Sequence, residues 1–261
     1  MNNKDLAPIA IGIIPVRFRS TRLPGKPLLE ISGKTIIEHV YERSRRASLL
    51  RDVIVATDDE RIATVVRRNG GKAVMTPTTI QSGSDRVAYA AKTIDADIVV
   101  NIQGDEPLID PRMIDETVQA LFDDETVQVS TPVKKITSAE EVGNPNIVKV
   151  VLDENNFALY FSRSVIPHQC PGENPSTRGG SLTDHLYYKH IGLYVYRKDF
   201  LLTFTQWEPS PLERAEELEQ LRILEHGHRI KCVITEHDSF SIDTPEDFER
   251  LKSVMKQASK S

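Results

Sequence analysis

The run Ile9-Ala10-Ile11-Gly12-Ile13-Ile14 is apolar at every position, the pattern of a strand covered on both faces. Shorter β-rich runs at 53–57, 72–75 and 97–102 alternate with helix-period stretches at 35–47, 59–68, 84–93 and 111–122. Strand and helix in alternation predict an α/β fold on a mostly parallel sheet. Within 35–47, Ile36, Ile37, Val40, Tyr41 and Ala47 form an apolar stripe and leave Glu38, Glu42, Arg43 and Arg45 for solvent. From about 127 the rhythm changes to short β-type runs at 127–133, 147–152, 158–161 and 191–196, broken by a turn-rich insertion at 170–180. An antiparallel excursion is expected there. Helical stretches at 212–226 and 245–256 surround a short strand at 230–234, and 257–261 reads as a frayed tail. No internal repeat is present, and 1–261 is expected to form a single α/β domain.

The formal net charge of −5 speaks against a general affinity for nucleic acid but leaves room for a local anion site. No stretch approaches the roughly 20 apolar residues of a membrane span. Met1-Asn2-Asn3-Lys4-Asp5 lacks the apolar segment of a signal peptide, so a cytoplasmic protein without membrane insertion is expected. Cys170 and Cys232 lie far apart without Cys-x-x-Cys spacing, and both are expected to be plain thiols.

The charge is concentrated in one place that matters. Residues 15–27 carry four cations (Arg17, Arg19, Arg22, Lys26), three prolines and no acid, directly after the first strand. Open α/β sheets place ligands at the carboxyl ends of their strands. Pro15, Pro24 and Pro27 restrict φ and Gly25 permits a tight turn, so the loop is preorganised for binding. A polyphosphate is the natural ligand. One cation at 4 Å contributes roughly 1–4 kcal/mol, against about 0.3–1 kcal/mol for a helix amino terminus, which singles out Arg17, Arg22 and Lys26. Two other phosphate motifs fail: Ser32-Gly33-Lys34-Thr35 imitates the end of a P-loop, but Leu28 stands where its first glycine belongs, and no Gly-x-Gly-x-x-Gly follows the first strand.

Transfer chemistry on a triphosphate calls for a hard cation such as Mg²⁺, held by one or two carboxylates and phosphate oxygens. In Ile98-Val99-Val100-Asn101-Ile102-Gln103-Gly104-Asp105-Glu106-Pro107 the strand ends at Ile102, Gly104 allows close approach, and Asp105 reaches the edge that bears the basic loop. Glu106 reads as a supporting group or a turn residue. Asp110-Pro111 reads as a helix cap, as do Asp58, Asp59 and Glu60. In Ser241-Ile242-Asp243-Thr244-Pro245-Glu246-Asp247, Thr244 and Asp247 resemble a capping box, which leaves Asp243 as a second candidate metal ligand. His185, His226, His228 and His237 have no metal-site spacing, and His190 in an apolar sequence reads on its own as a hydrogen-bonded core histidine.

With these residues in view, the chain resembles the cytidylyltransferases that activate 3-deoxy-manno-octulosonate (Kdo). The resemblance rests on Arg19-Ser20-Thr21-Arg22-Leu23-Pro24-Gly25-Lys26-Pro27-Leu28, Val55-Ala56-Thr57-Asp58, Gln81-Ser82-Gly83-Ser84-Asp85-Arg86 and Asn101-Ile102-Gln103-Gly104-Asp105-Glu106-Pro107. Ala158-Leu159-Tyr160-Phe161-Ser162-Arg163, Pro209-Ser210-Pro211-Leu212-Glu213, Leu218-Glu219-Gln220-Leu221-Arg222 and Asp243-Thr244-Pro245-Glu246-Asp247 extend it. The first loop is shared with cytidylyltransferases for other acidic sugars; the later segments favour Kdo. Positions 84 and 85 carry serine and aspartate where members of the family often show threonine and glutamate, changes that preserve the chemistry.

The resemblance implies a nucleotide-diphospho-sugar-transferase fold, Rossmann-like, whose antiparallel excursion forms the sugar-acid and dimer side. Its parts would be 1–126 for nucleotide, 127–210 for sugar and dimerisation, and 211–261 for the carboxyl-terminal helices and the return to the metal site. It implies a homodimer that uses CTP, Kdo and Mg²⁺ to make CMP-Kdo and pyrophosphate for lipopolysaccharide biosynthesis. Asp105 and Asp243 would hold metal, and with Arg22 and Lys26 would form the catalytic set. Pro15, Val16, Arg17, Arg22, Lys26, Gln81, Ser82, Gly83 and Arg86 would bind nucleotide. Gln103, Arg163, His190, Tyr194, Glu219 and Gln220 would face the sugar acid, where a guanidinium such as that of Arg163 suits a carboxylate bidentately. Transfer to a sialic acid, to a sugar 1-phosphate, or silent nucleotide binding are the alternatives.

Overall fold

Strand β1 (Ala10–Val16) lies inside a ten-stranded mixed sheet in the computed structural model, which describes residues 8–18, 23–168 and 187–258. Arg19, Arg22, Cys170, His185 and the insertion at 170–180 lie outside the described residues. The other strands are β2 (Glu30–Ile31), β3 (Lys34–Thr35), β4 (Leu50–Thr57), β5 (Lys72–Met75), β6 (Ile98–Asn101), β7 (Val129–Lys135), β8 (Lys149–Leu152), β9 (Ala158–Ser162), β10 (Tyr188–His190), β11 (Tyr194–Arg197) and β12 (Lys231–Ile234). The helices are α1 (Ile36–Ser44), α2 (Glu60–Arg68), α3 (Gly83–Ala91), α4 (Pro111–Asp123), α5 (Ala139–Gly143), α6 (Lys198–Phe204), α7 (Pro211–Glu216), α8 (Leu221–Glu225) and α9 (Pro245–Ala258). None of the described helices is long and apolar enough to cross a membrane.

The main sheet runs β5-β4-β1-β6-β11-β7-β10-β8-β9, with β12 along the other edge of β7 and β2-β3 as a separate hairpin. Strands β5, β4, β1 and β6 are mutually parallel, as the alternating pattern predicts. From β11 to β9 each neighbour is antiparallel, so the excursion continues the same sheet. Strand β1 is apolar throughout because both its faces are covered. Ile14 and Val16 join the core under α1, α2 and α4, while Ile11 and Ile13 join the core shared with α3, α6 and α8. Helix α1 starts at a capping box in which Thr35 accepts from the Glu38 amide and the Glu38 carboxylate answers the Thr35 amide.

Two apolar runs are interrupted. Of the stretch 191–196 only 194–196 is strand, in β11, which is laid end to end with β10 (Tyr188–His190) along β7. Between the pairs His190–Val133 and Val195–Ser130, five residues advance on one strand against three on the other. The excess is taken up by a turn at Gly192, closed by Leu193 N–H donating to Ile191 O at 2.8 Å. The helical stretch 212–226 likewise divides into α7 and α8, because Glu217 adopts φ 53° and its neighbours close the turn. Helix period alone contains no signal for that break. Helices α5 and α6 and the β2-β3 hairpin are further elements that the periodicity does not announce.

Candidate active site

The basic loop and the acidic segment meet because β1 and β6 are adjacent and parallel. Ile102 N–H donates to Ile13 O at 3.0 Å, which brings residue 104 against the end of β1. A Cβ on Gly104 would stand 2.6 Å from Val16 Cγ2 and 3.1 Å from Pro15 O, so only glycine fits this approach. Gly25, at φ 68°, turns the loop into a single 3₁₀ turn (Lys26–Leu28) that aims Lys26 inward. The segment carrying Asp243 is fastened by Ile242 N–H donating to Asp105 O at 3.0 Å. Beyond it, Asp247 Oδ2 accepts from the amides of Asp243 and Thr244, and Thr244 Oγ1 accepts from Asp247 N–H, the reciprocal cap expected at the start of α9.

Lys26 is the hub. Its Nζ donates to Asp105 Oδ2 at 2.7 Å, to Ile242 O at 2.6 Å and to Asp243 Oδ1 at 3.3 Å. The lysine side chain is 13% exposed, Asp105 26% and Asp243 41%, so the carboxylates keep one side toward solvent. Next to them, buried Glu106 accepts from Ser239 Oγ at 2.7 Å, and burial pushes its carboxyl up to about 7 despite that bond. Among the described residues no three His, Cys, Asp or Glu side chains cluster as a metal site.

A cleft of about 320 Å³ opens above this hub, lined by Pro15, Val16, Arg17, Lys26, Pro27, Gln81, Ser82, Gly83, Arg86, Gln103, Gly104, Asp105 and Asp243. The amino end of α3 forms its opposite wall, and Ser82 caps that helix by accepting from Asp85 N–H at 3.0 Å. Thus the described members of the predicted nucleotide and metal sets share one cavity. Arg86 enters it differently from the loop cations. Its buried guanidinium donates to Thr76 Oγ1, to Ile80 O at 3.0 Å and to Asp58 Oδ2 at 3.0 Å, so it ties the strand-to-helix loops together. Asp59, not Asp58, caps α2. Loss of this pair strands a carboxylate that is mostly covered, and Arg86→Ala is expected to lower unfolding free energy by about 3–5 kcal/mol in urea titration. Arg112→Ala, where the guanidinium paired with Asp110 is exposed, is the control and should cost no more than about 1 kcal/mol.

The residues expected at the sugar acid lie beside the cleft, on the α3 and α8 side of the sheet. Of them only Gln103 lines it. Tyr194 pairs with Asn101 across β11 and β6, and its ring packs 5.2 Å from that of His190. His190 Nε2 is 2.9 Å from Thr131 Oγ1. Thr131 has one proton, directed at Leu193 O at 2.7 Å, so the His190 Nε2–H is the donor in their contact. Burial holds this imidazole neutral, its pKa down to about 3, which is the core-histidine reading. Arg163 does not point a bare fork at a ligand: Nε donates to Glu216 O at 2.8 Å, and the two terminal nitrogens reach Pro145 O and Glu217 O at 3.3 and 3.5 Å. Glu219 and Gln220 sit in the turn between α7 and α8 and not along one helix, with Glu219 Oε2 accepting from Ser84 Oγ at 2.6 Å. Gln220 is 5% exposed, and its Nε2 is a buried donor without an acceptor among the described residues.

A family model described as cytidylyltransferase matches residues 11–230. The 3-deoxy-manno-octulosonate cytidylyltransferase of Geobacter metallireducens is 51% identical over 240 residues, covering 92% of this chain and 94% of its own. That of Geotalea uraniireducens is 49% identical and covers 94% and 98%. The chain belongs to the 3-deoxy-manno-octulosonate cytidylyltransferase family. A solved CMP:2-keto-3-deoxy-manno-octonic acid synthetase complexed with CTP superposes on this family member with a TM-score of 0.87 at 41% identity, covering 96% of this chain and 99% of that one.

Two polar residues that join the halves of the site carry no role in the sequence reading. Asn101 and Ser84 are 1% and 2% exposed and link Gln103 to Glu219. The available signal is Asn101 itself, the one polar residue in Ile98-Val99-Val100-Asn101-Ile102, since a buried amide requires polar partners.

Proposed function

We propose that this protein transfers CMP from CTP to the anomeric hydroxyl of Kdo, giving CMP-Kdo and pyrophosphate for lipopolysaccharide biosynthesis. The observation that carries this reading is the meeting of Lys26, Asp105 and Asp243 at the base of a cleft walled by the amino end of α3. Arg17, Arg22 and Lys26 neutralise the triphosphate, and Gln81, Ser82 and Gly83 border the base. Arg86 shapes their wall. The Kdo hydroxyl oxygen bonds to the α-phosphorus and its proton passes to solvent, while the bond from the α-phosphorus to the α–β bridging oxygen breaks and pyrophosphate leaves with that electron pair. Alignment and charge stabilisation are enough for this displacement, and no protein nucleophile is needed.

Asp105 and Asp243 offer hard oxygen donors, partly exposed and facing one cation, which fits Mg²⁺ held by two carboxylates and phosphate oxygens. When bound, Mg²⁺ supplies charge neutralisation on the phosphoryl oxygens. The acceptor side draws on Gln103, His190, Tyr194, Glu219 and Gln220. The Gln220 Nε2 donor, without an acceptor among the described residues, suits a polyhydroxyl ligand, and Arg163 can turn its two long, weak bonds toward a carboxylate. We place the protein in the cytoplasm as a homodimer, the latter supported by exposed Leu159 on the terminal strand β9 and by Val165 beyond it.

The test is pyrophosphate release from CTP, UTP and dTTP, each offered with Kdo, N-acetylneuraminate or a sugar 1-phosphate. CTP with Kdo is expected to exceed every other pairing by at least ~100-fold, the scale set by polar substrate discrimination. Faster turnover of N-acetylneuraminate or of a sugar 1-phosphate would overturn the acceptor, and bound nucleotide without release would leave a silent binding protein.

A further inference from the structure

Ser84 occupies the second position of α3, next to Gly83 on the cleft wall, yet its side chain points away from solvent and is 2% exposed. Its hydroxyl donates to Glu219 Oε2 at 2.6 Å, a partner 135 residues away in sequence. It accepts from Asn101 Nδ2 at 3.5 Å, and Asn101 Oδ1 in turn accepts from Gln103 Nε2 at 3.4 Å. A hydrogen-bonded row therefore runs from the cleft to the turn between α7 and α8. The Ser84 proton is the row's short, charge-assisted link to that turn. The turn has no regular helix to hold Glu219, because Glu217 breaks the backbone just before it. Burial raises the Glu219 carboxyl pKa, and the Ser84 bond opposes that rise.

Resting on the function proposed above, we propose that Ser84 is a positioning residue that orients the Glu219 carboxylate for the sugar acid and joins the nucleotide-bearing helix α3 to the acceptor subsite. The group it orients is built to meet hydroxyls, since its second oxygen remains available to accept. A serine to alanine change deletes the donor but not the helix start, whose cap is Ser82. A serine to threonine change keeps the donor.

The experiment measures KM for Kdo and for CTP, together with Kdo binding by calorimetry, in wild type, Ser84→Ala, Ser84→Thr, Glu219→Gln and the Ser84→Ala/Glu219→Gln double variant. Ser84→Ala should raise KM and Kd for Kdo on the order of 10-fold or more, as expected for a lost hydrogen bond to a charged group, with KM for CTP within about 2-fold. Ser84→Thr should stay within about 3-fold of wild type. The double variant should lose little more than Glu219→Gln alone, because the two residues act as one unit. An unchanged KM for Kdo in Ser84→Ala, equal rises for both substrates, or additive losses would each overturn the proposal. Wild type that fails to turn over CTP with Kdo would overturn the underlying acceptor assignment instead, which separates the two failures.

Discussion

Asp105→Asn is expected to lower kcat at saturating CTP by at least ~100-fold, with an unfolding midpoint close to that of wild type. Asparagine has the same shape and keeps an oxygen toward the Lys26 ammonium, so the 2.7 Å contact survives without its charge. The backbone clamp from Ile242 N–H to Asp105 O does not involve the side chain. Asp105 is also 26% exposed, so no deeply buried charge is gained or lost and the fold has little reason to respond. What disappears is half of the carboxylate pair that suits Mg²⁺ at the triphosphate. Saturating CTP removes any contribution from weaker nucleotide binding, so a large fall in kcat reports the chemical step. Near-normal turnover would sink the metal assignment for Asp105.

Lys26→Ala is expected to raise KM for CTP by roughly 5-fold to 1000-fold, the span that about 1–4 kcal/mol of charge interaction represents. Steady-state kinetics over a wide CTP range gives the value. The breadth reflects the dielectric of the cleft, and the 13% exposure of the lysine side chain argues for the upper half. The same substitution removes an ammonium that bonds both Asp105 and Asp243, and with it positive charge that offsets these carboxylates against the incoming triphosphate. Its effect on nucleotide engagement should therefore exceed that of removing Arg17, which is exposed at the cleft mouth. An unchanged CTP response would contradict the loop's role.

The proposed nucleotide half of the site was legible for a simple reason. Its residues sit in short segments directly after strands whose apolar runs are unambiguous, and in parallel sheets such segments gather at one edge. Pro15, Val16, Lys26 and Asp105 lie where that rule puts them, and Gly104 follows from the need for close approach. Asp243 is different: it comes from the far end of the chain, and the clamp at Ile242 and the cap of α9 help to bring it to Lys26. The acceptor half was less legible. His190 reads as a core histidine in both sequence and structure. Arg163 braces three backbone carbonyls, and Glu219 lies in a turn that helix periodicity conceals.

By itself the sequence determined an α/β protein with a basic, preorganised loop after its first strand, a carboxylate after its fourth large β-run, and the segments of a Kdo-type cytidylyltransferase. These are local properties of side-chain pattern and backbone freedom, and they do not depend on packing. The tertiary structure decided that Lys26 closes on both aspartates, that Arg86 and Arg163 brace loops, and that Asn101 and Ser84 join the two halves of the site. Each of those outcomes depends on hydrogen-bonding partners distant in sequence. A donor's final acceptor is set by which strands become neighbours, and no local pattern contains that information.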